Sequence, residues 1–161
     1  MFDTPPCKFC FAHLLNHKTL ANWKQCPNCS YAHEKGNYMI TANELNPHGY
    51  PTPAPIDANL AILLDRVNKL RAAYAKPMIV TSGLRSEADQ QRINPKAPHS
   101  KHLEGAACDF QDGDGKLKEW VKANVPLMEQ IGLWMEDFAH TPNWLHVQII
   151  APKSGNRFFI P

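Results

Sequence analysis

The segment Ser100-Lys101-His102-Leu103-Glu104-Gly105-Ala106-Ala107-Cys108-Asp109-Phe110 sets the tightest limits on what this chain can become. It holds a histidine and an aspartate seven residues apart. Its second half, from Gly105 to Phe110, reads as a short buried strand that carries a carboxylate. Gly105 and the two alanines leave room above the backbone, which predicts close approach by a ligand or another strand. A buried aspartate is costly unless it is paired or bound to a metal, so Asp109 needs a partner. His102 is the nearest residue able to share a cation with it.

A third donor comes from Trp144-Leu145-His146-Val147-Gln148-Ile149-Ile150. Strand alternation puts Leu145, Val147 and Ile149 on an apolar face, and Trp144, His146 and Gln148 on the other. His102, Asp109 and His146 together are a three-ligand set for zinc, with a fourth position left to water, as in a catalytic site. Cys108 points away from Asp109 on the same strand and is expected to be a small buried thiol.

The pattern Ser-x-His-x-x-Gly-x-Ala-x-Asp, followed by Trp-x-His and preceded by Thr81-Ser82-Gly83-Leu84-Arg85-Ser86, resembles the zinc DD-peptidase family. That family includes D-alanyl-D-alanine carboxypeptidases and phage L-alanyl-D-glutamate endolysins, and shares its fold with the hedgehog signalling domain. The resemblance covers roughly Asn37 to Pro161. It implies an α+β domain with a mostly antiparallel sheet, helices on one side and the zinc cleft on the other. It also implies that Arg85, on the loop after a strand, binds a substrate carboxylate through its planar fork. Ser100 and Gln148 are further substrate-binding candidates, Ser100 alternatively bonding within its own loop.

Hydrolysis by such a site needs a general base. Many family members carry an acid three residues before the last histidine, but Asn143 stands there in this chain, and an amide cannot take a proton at neutral pH. The nearest acids are Glu136 and Asp137, in a segment expected to form a hairpin with the strand of His146. Glu136 is the first choice as catalytic residue, Asp137 the second and His140 a distant third.

Four of the five cysteines form two Cys-x-x-Cys pairs, Cys7/Cys10 and Cys26/Cys29, with fifteen residues between the pairs. This is the spacing of a four-cysteine zinc ribbon over residues 1–36, in which structural zinc supplies the folding energy of a segment too small for its own core. Two disulfides or a rubredoxin-type iron site are the alternatives. The missing Sec-type leader and the reducing cytosol weigh against disulfides. The ribbon reads as a bracing or docking module, and the peptidase domain occupies residues 37–161.

Further along, residues from Tyr38 to Thr41 read as a short strand or an extended lead-in, and the proline-rich stretch from Asn46 to Pro55 as a wrapping loop. Asp57 to Ala75 reads as a packing helix, with Ile56, Leu60, Leu63, Leu64, Val67, Leu70 and Tyr74 on its buried side. Pro77 to Thr81 reads as a strand, ending at a Ser82-Gly83 turn. A short helix capped by Ser86 runs through Ile93, another spans Lys116 to Asn124, and Pro126 to Ile131 forms a turn or helix. Phe158 and Phe159 lie in a final strand.

A formal charge of +2 gives no electrostatic case for nucleic acid, and no apolar run is long enough to span a membrane. The expected activity is zinc-dependent cleavage of a peptidoglycan stem peptide, by a phage-type endolysin or a DD-carboxypeptidase. The protein is expected to be monomeric, made in the cytoplasm without a Sec leader, and active on the cell wall after release. A virion or assembly component, and a non-catalytic zinc module of the hedgehog kind, are the competing readings.

Overall fold

A computed structural model describes residues 39–161. The ribbon expected over residues 1–36, with Cys7, Cys10, Cys26 and Cys29, lies outside the described residues.

The described chain is α+β. A helical turn, α1 (Ala42–Leu45), precedes the long helix α2 (Ala54–Tyr74), strand β1 (Val80–Ser82) and helix α3 (Glu87–Ile93). Strand β2 (Ala107–Gln111) is followed by helices α4 (Lys116–Ala123) and α5 (Val125–Ile131) and strands β3 (Trp134–Glu136), β4 (Trp144–Gln148) and β5 (Phe158–Phe159). The five strands form one sheet in the order β1-β2-β4-β3-β5. Every pairing is antiparallel except β3 with β5, which is parallel, so the sheet is mixed at that edge.

Helix α2 begins earlier than its sequence suggests. Pro55 sits in the first turn, where its missing N–H has no intrahelical partner to lose, so the proline-rich loop runs directly into the helix. Leu63, Val67, Leu70 and Tyr74 recur on one side and are buried against the sheet. Ala75, in the left-handed conformation, ends the helix, and Pro77 follows. The buried Arg71 donates to the Met78 carbonyl and steers the chain back toward β1.

Cys108 and Phe110 of β2, Met135 of β3, and Leu145 and Val147 of β4 form the core face of the sheet. Leu117, Val121, Met128 and Ile131 of α4 and α5 complete that core beside α2. Burying each such large side chain stabilises the fold by roughly 1.5–3 kcal/mol. Cys108 is fully buried, as alternation requires, and burial pushes its thiol pKa well up.

Three local expectations give way. Thr41 begins a helical turn where an extended segment was expected: its hydroxyl caps the Glu44 N–H while the Glu44 carboxylate accepts from the Thr41 N–H, a reciprocal capping box. Ser82 lies within β1, not in a turn, because the register shifts between Val80 and Ser82. Val80 thus pairs with Phe110 on the core side and Ser82 with Asp109 on the other, the re-aiming that a bulge provides. The room above Gly105 is taken by α2 and not by a ligand or a strand: a Cβ there would lie 3.0 Å from side-chain atoms of Ile56 and Leu60.

Candidate metal centre

Opposite the helices, the sheet presents one transverse row of side chains. Ser82 pairs with Asp109, and Asp109 with His146. Trp134 and Met135 pair with Gln148 and Val147, so the same register carried one residue further sets Glu136 beside His146. Glu136 in turn pairs with Phe159. One residue from each strand therefore lines a single track, with Asp109 and His146 at its centre.

His102 reaches this track from the turn before β2. Its Nδ1 lies 2.7 Å from the Gly83 carbonyl, which can only accept, so Nδ1 carries the proton. Nε2 is left with a free lone pair, 3.3 Å from Asp109 Oδ2. His146 Nδ1 lies 2.8 Å from the other carboxylate oxygen, Oδ1. Asp109, His102 and His146 each offer a ligand atom, and these atoms lie within 4.8 Å of one another. All three residues are buried, and among the described residues they are the only such cluster.

This donor set fits a zinc ion. Burial lowers the His102 pKa against the opposing pull of Asp109, favouring the neutral imidazole that a metal requires. Burial by itself would raise the Asp109 pKa, but the charge and hydrogen bond of His102 and the hydrogen bond of His146 outweigh it, so the carboxyl sits well below the usual range. A cation between Asp109 and His146 would replace the proton that otherwise bridges them. Two imidazoles and one carboxylate leave a fourth tetrahedral position for water.

Arg85 completes the enclosure. Its Nε donates to Ser82 Oγ at 2.9 Å, Nη1 to Gln90 Oε1 at 3.0 Å, and Nη2 to Asp109 Oδ2 at 2.8 Å. Three of roughly five guanidinium N–H groups are engaged by the protein, which leaves one on each terminal nitrogen for another acceptor. Gln90 is buried, and its amide nitrogen donates to the Asn94 and Ala97 carbonyls, which turns its oxygen toward Arg85. Sequence reasoning missed both Ser82 and Gln90. The signal for Gln90 was a polar residue one turn after the Ser86 cap, on the inner side of a short helix.

Glu136 is half-buried, and desolvation raises its pKa; proximity to Asp109 adds to this, while His146 and His140 oppose it. Asp137 is differently employed. Its carboxylate accepts from the Ala139 N–H at 2.8 Å and its carbonyl accepts from the His140 N–H at 2.9 Å, closing the turn after β3. Asn143 is exposed, and its carbonyl accepts from the Asp112 N–H. Ser100 lies in the loop before His102, where its hydroxyl and carbonyl accept from the backbone N–H groups of His102 and Leu103. Gln148 is buried beside the track, its amide nitrogen bonded to the Ile150 carbonyl.

The arrangement can hold a divalent cation and place a carboxyl of raised pKa next to one of its ligands. No curated protein matches the chain. A family profile described as Peptidase M15 matches residues 35–148, well over half of it, and that span holds every residue of the track except Phe159. The chain belongs to the peptidase M15 family, whose members are zinc-dependent peptidases acting on peptidoglycan-type substrates.

Proposed function

We propose that this protein is a zinc endopeptidase of the phage endolysin type, cutting a peptide bond in the peptidoglycan stem. The observation that carries this reading is the convergence of His102, Asp109 and His146 with Glu136 in the adjacent strand position. A bound zinc ion supplies a water acidified to a pKa of about 7 and Lewis-acid polarisation of the scissile carbonyl.

The chain's own residues do the rest. His102, fixed by the Gly83 carbonyl, and His146, braced against Asp109, hold their ring nitrogens toward one point. Glu136 takes the proton of the attacking water as the C–O bond forms, and passes it to the amide nitrogen as the C–N bond breaks. Its raised pKa makes the protonated form a useful acid in the second half of that exchange. Arg85, held by Ser82, Gln90 and Asp109, turns its two remaining N–H groups to a substrate carboxylate, a bidentate match. The Gln148 side-chain oxygen and the Ser100 hydroxyl serve as further polar contacts to the stem peptide. The protein acts as a monomer on the wall after release from the cytoplasm.

Digestion of purified peptidoglycan, followed by mass spectrometry of the fragments, tests the reading. A new N-terminus at D-glutamate identifies the L-alanyl-D-glutamate endopeptidase. Loss of a terminal D-alanine identifies a carboxypeptidase instead, and intact peptidoglycan with zinc-loaded protein contradicts the enzymatic reading.

A further inference from the structure

The family match stops at residue 148, yet β5, beyond it, delivers a side chain to the metal track. Phe159 is buried, and its ring stands edge-on to His146, with centroids 6.1 Å apart and an interplanar angle of 82°. That is the geometry of a favourable aromatic pair. Asp109 Oδ1 and the His102 ring, the latter 5.2 Å away, also border the His146 ring. Phe159 adds an apolar wall to this surround.

The strand that carries it is firmly held for so short an element. The Met135 N–H donates to the Arg157 carbonyl at 2.9 Å, and the Asp137 N–H to the Phe159 carbonyl at 2.8 Å. The Arg157 guanidinium lies over the Trp134 ring, 4.4 Å from its centroid, and donates to the Leu133 carbonyl at 2.7 Å. Phe158, the neighbouring residue, packs instead against Phe138, with centroids 5.1 Å apart. Two adjacent phenylalanines therefore do different things: Phe158 packs on the core side, and Phe159 meets the site.

We infer that Phe159 is a positioning residue for the metal centre, holding the His146 imidazole so that Nδ1 faces the position a cation would take beside Asp109. The inference rests on the zinc reading above. A ring held on one side by a single carboxylate contact can turn out of the ligand plane, and an aromatic edge against it removes that freedom. An aromatic pair of this kind is worth roughly two- to ten-fold in an equilibrium constant.

The test is zinc affinity of the full chain by chelator competition, with Phe159→Ala, Phe159→Leu, Phe158→Ala and His146→Ala side by side. The zinc equivalent weakened in His146→Ala identifies the site. If His146→Ala weakens no zinc equivalent, the zinc reading itself fails. For that equivalent, Phe159→Ala should raise the dissociation constant about five-fold. Phe158→Ala should lower the melting temperature and leave zinc affinity within about two-fold of the parent. If Phe159→Ala does not fold, Phe159→Leu, which keeps apolar bulk but no ring edge, should still weaken zinc by about three-fold. Parent-like affinity in whichever Phe159 variant folds, or equal weakening by Phe158→Ala, overturns the inference.

Discussion

At the scale of single residues, the strongest commitment concerns Glu136. As a general base it must be ionised to act, so its titration sets the acidic limb of the pH–rate profile; burial pushes that pKa up and a cation on the neighbouring ligands would pull it back. Activity should climb with pH as the Glu136 carboxyl ionises. Glu136→Gln should abolish that limb and lower kcat by about 10²–10⁴-fold while zinc stays bound. Asp137→Asn should change kcat by less than about ten-fold, because that carboxylate closes a turn. Rates on peptidoglycan fragments between pH 4 and 9 check both, and a parent-like profile in Glu136→Gln would remove the assignment. Alternation along Trp144 to Gln148 made the placement of His146 opposite the apolar face legible in sequence, because strand period alone decides which side chains share a face. The position of Gln90 was visible one turn after the Ser86 cap, but its role was not. Its role depends on two backbone carbonyls of a later loop, which no periodicity encodes.

At the scale of elements, contacts between α1 and β1 and between the 46–53 loop and α3 support the site. A Cβ on Gly83 would lie 2.1 Å from the Leu45 carbonyl oxygen, with other Leu45 backbone atoms inside 3.0 Å, so neither element can yield cheaply. Gly83 also supplies the carbonyl that orients His102. Gly83→Ala should therefore cost roughly 1–3 kcal/mol in chemical denaturation through overpacking, and should weaken zinc as well.

The 46–53 loop is tied to α3 where the Tyr50 hydroxyl bonds the Asp89 carboxylate. Hydrogen bonds from Tyr50, Arg92 and Ser86 hold the Asp89 pKa well below the usual carboxylate range. A depressed carboxyl stabilises the folded state above its unfolded pKa of about 3.9 and loses that contribution as pH falls below it. Asp89→Asn should thus melt earlier than the parent at pH 7, and the gap should narrow toward pH 3. An unchanged gap would contradict the assignment. This lock and α1 escaped the sequence reading for different reasons. Thr41-Ala42-Asn43-Glu44 carries a capping-box signature that periodicity does not weigh, whereas a tyrosine 39 residues from its aspartate leaves no local trace.

At the scale of the whole molecule, the fold divides its labour between the two faces of one sheet. One face is apolar and covered by α2, α4 and α5; the other carries the track. The α+β class was expected from the family resemblance, and the helical cover from the apolar positions repeated through α2 and α4. The parallel pairing of β5 with β3 was not, since a two-residue strand has too little pattern to fix its direction. Metal binding and folding should be coupled here, because the ligands come from the turn before β2, β2 itself and β4. Removing zinc with a chelator should abolish hydrolysis and lower the melting temperature. Excess zinc should restore both, by about 2.7 kcal/mol when free metal reaches roughly 100 times its dissociation constant.

The most direct measurement is an anomalous difference map at the zinc edge from crystals of the zinc-loaded protein. A single peak should fall about 2.0–2.2 Å from His102 Nε2, an Asp109 oxygen and His146 Nδ1, with solvent alone in the remaining position. A peak at these three residues that is closed by a fourth protein ligand, or no peak between them, would contradict the account.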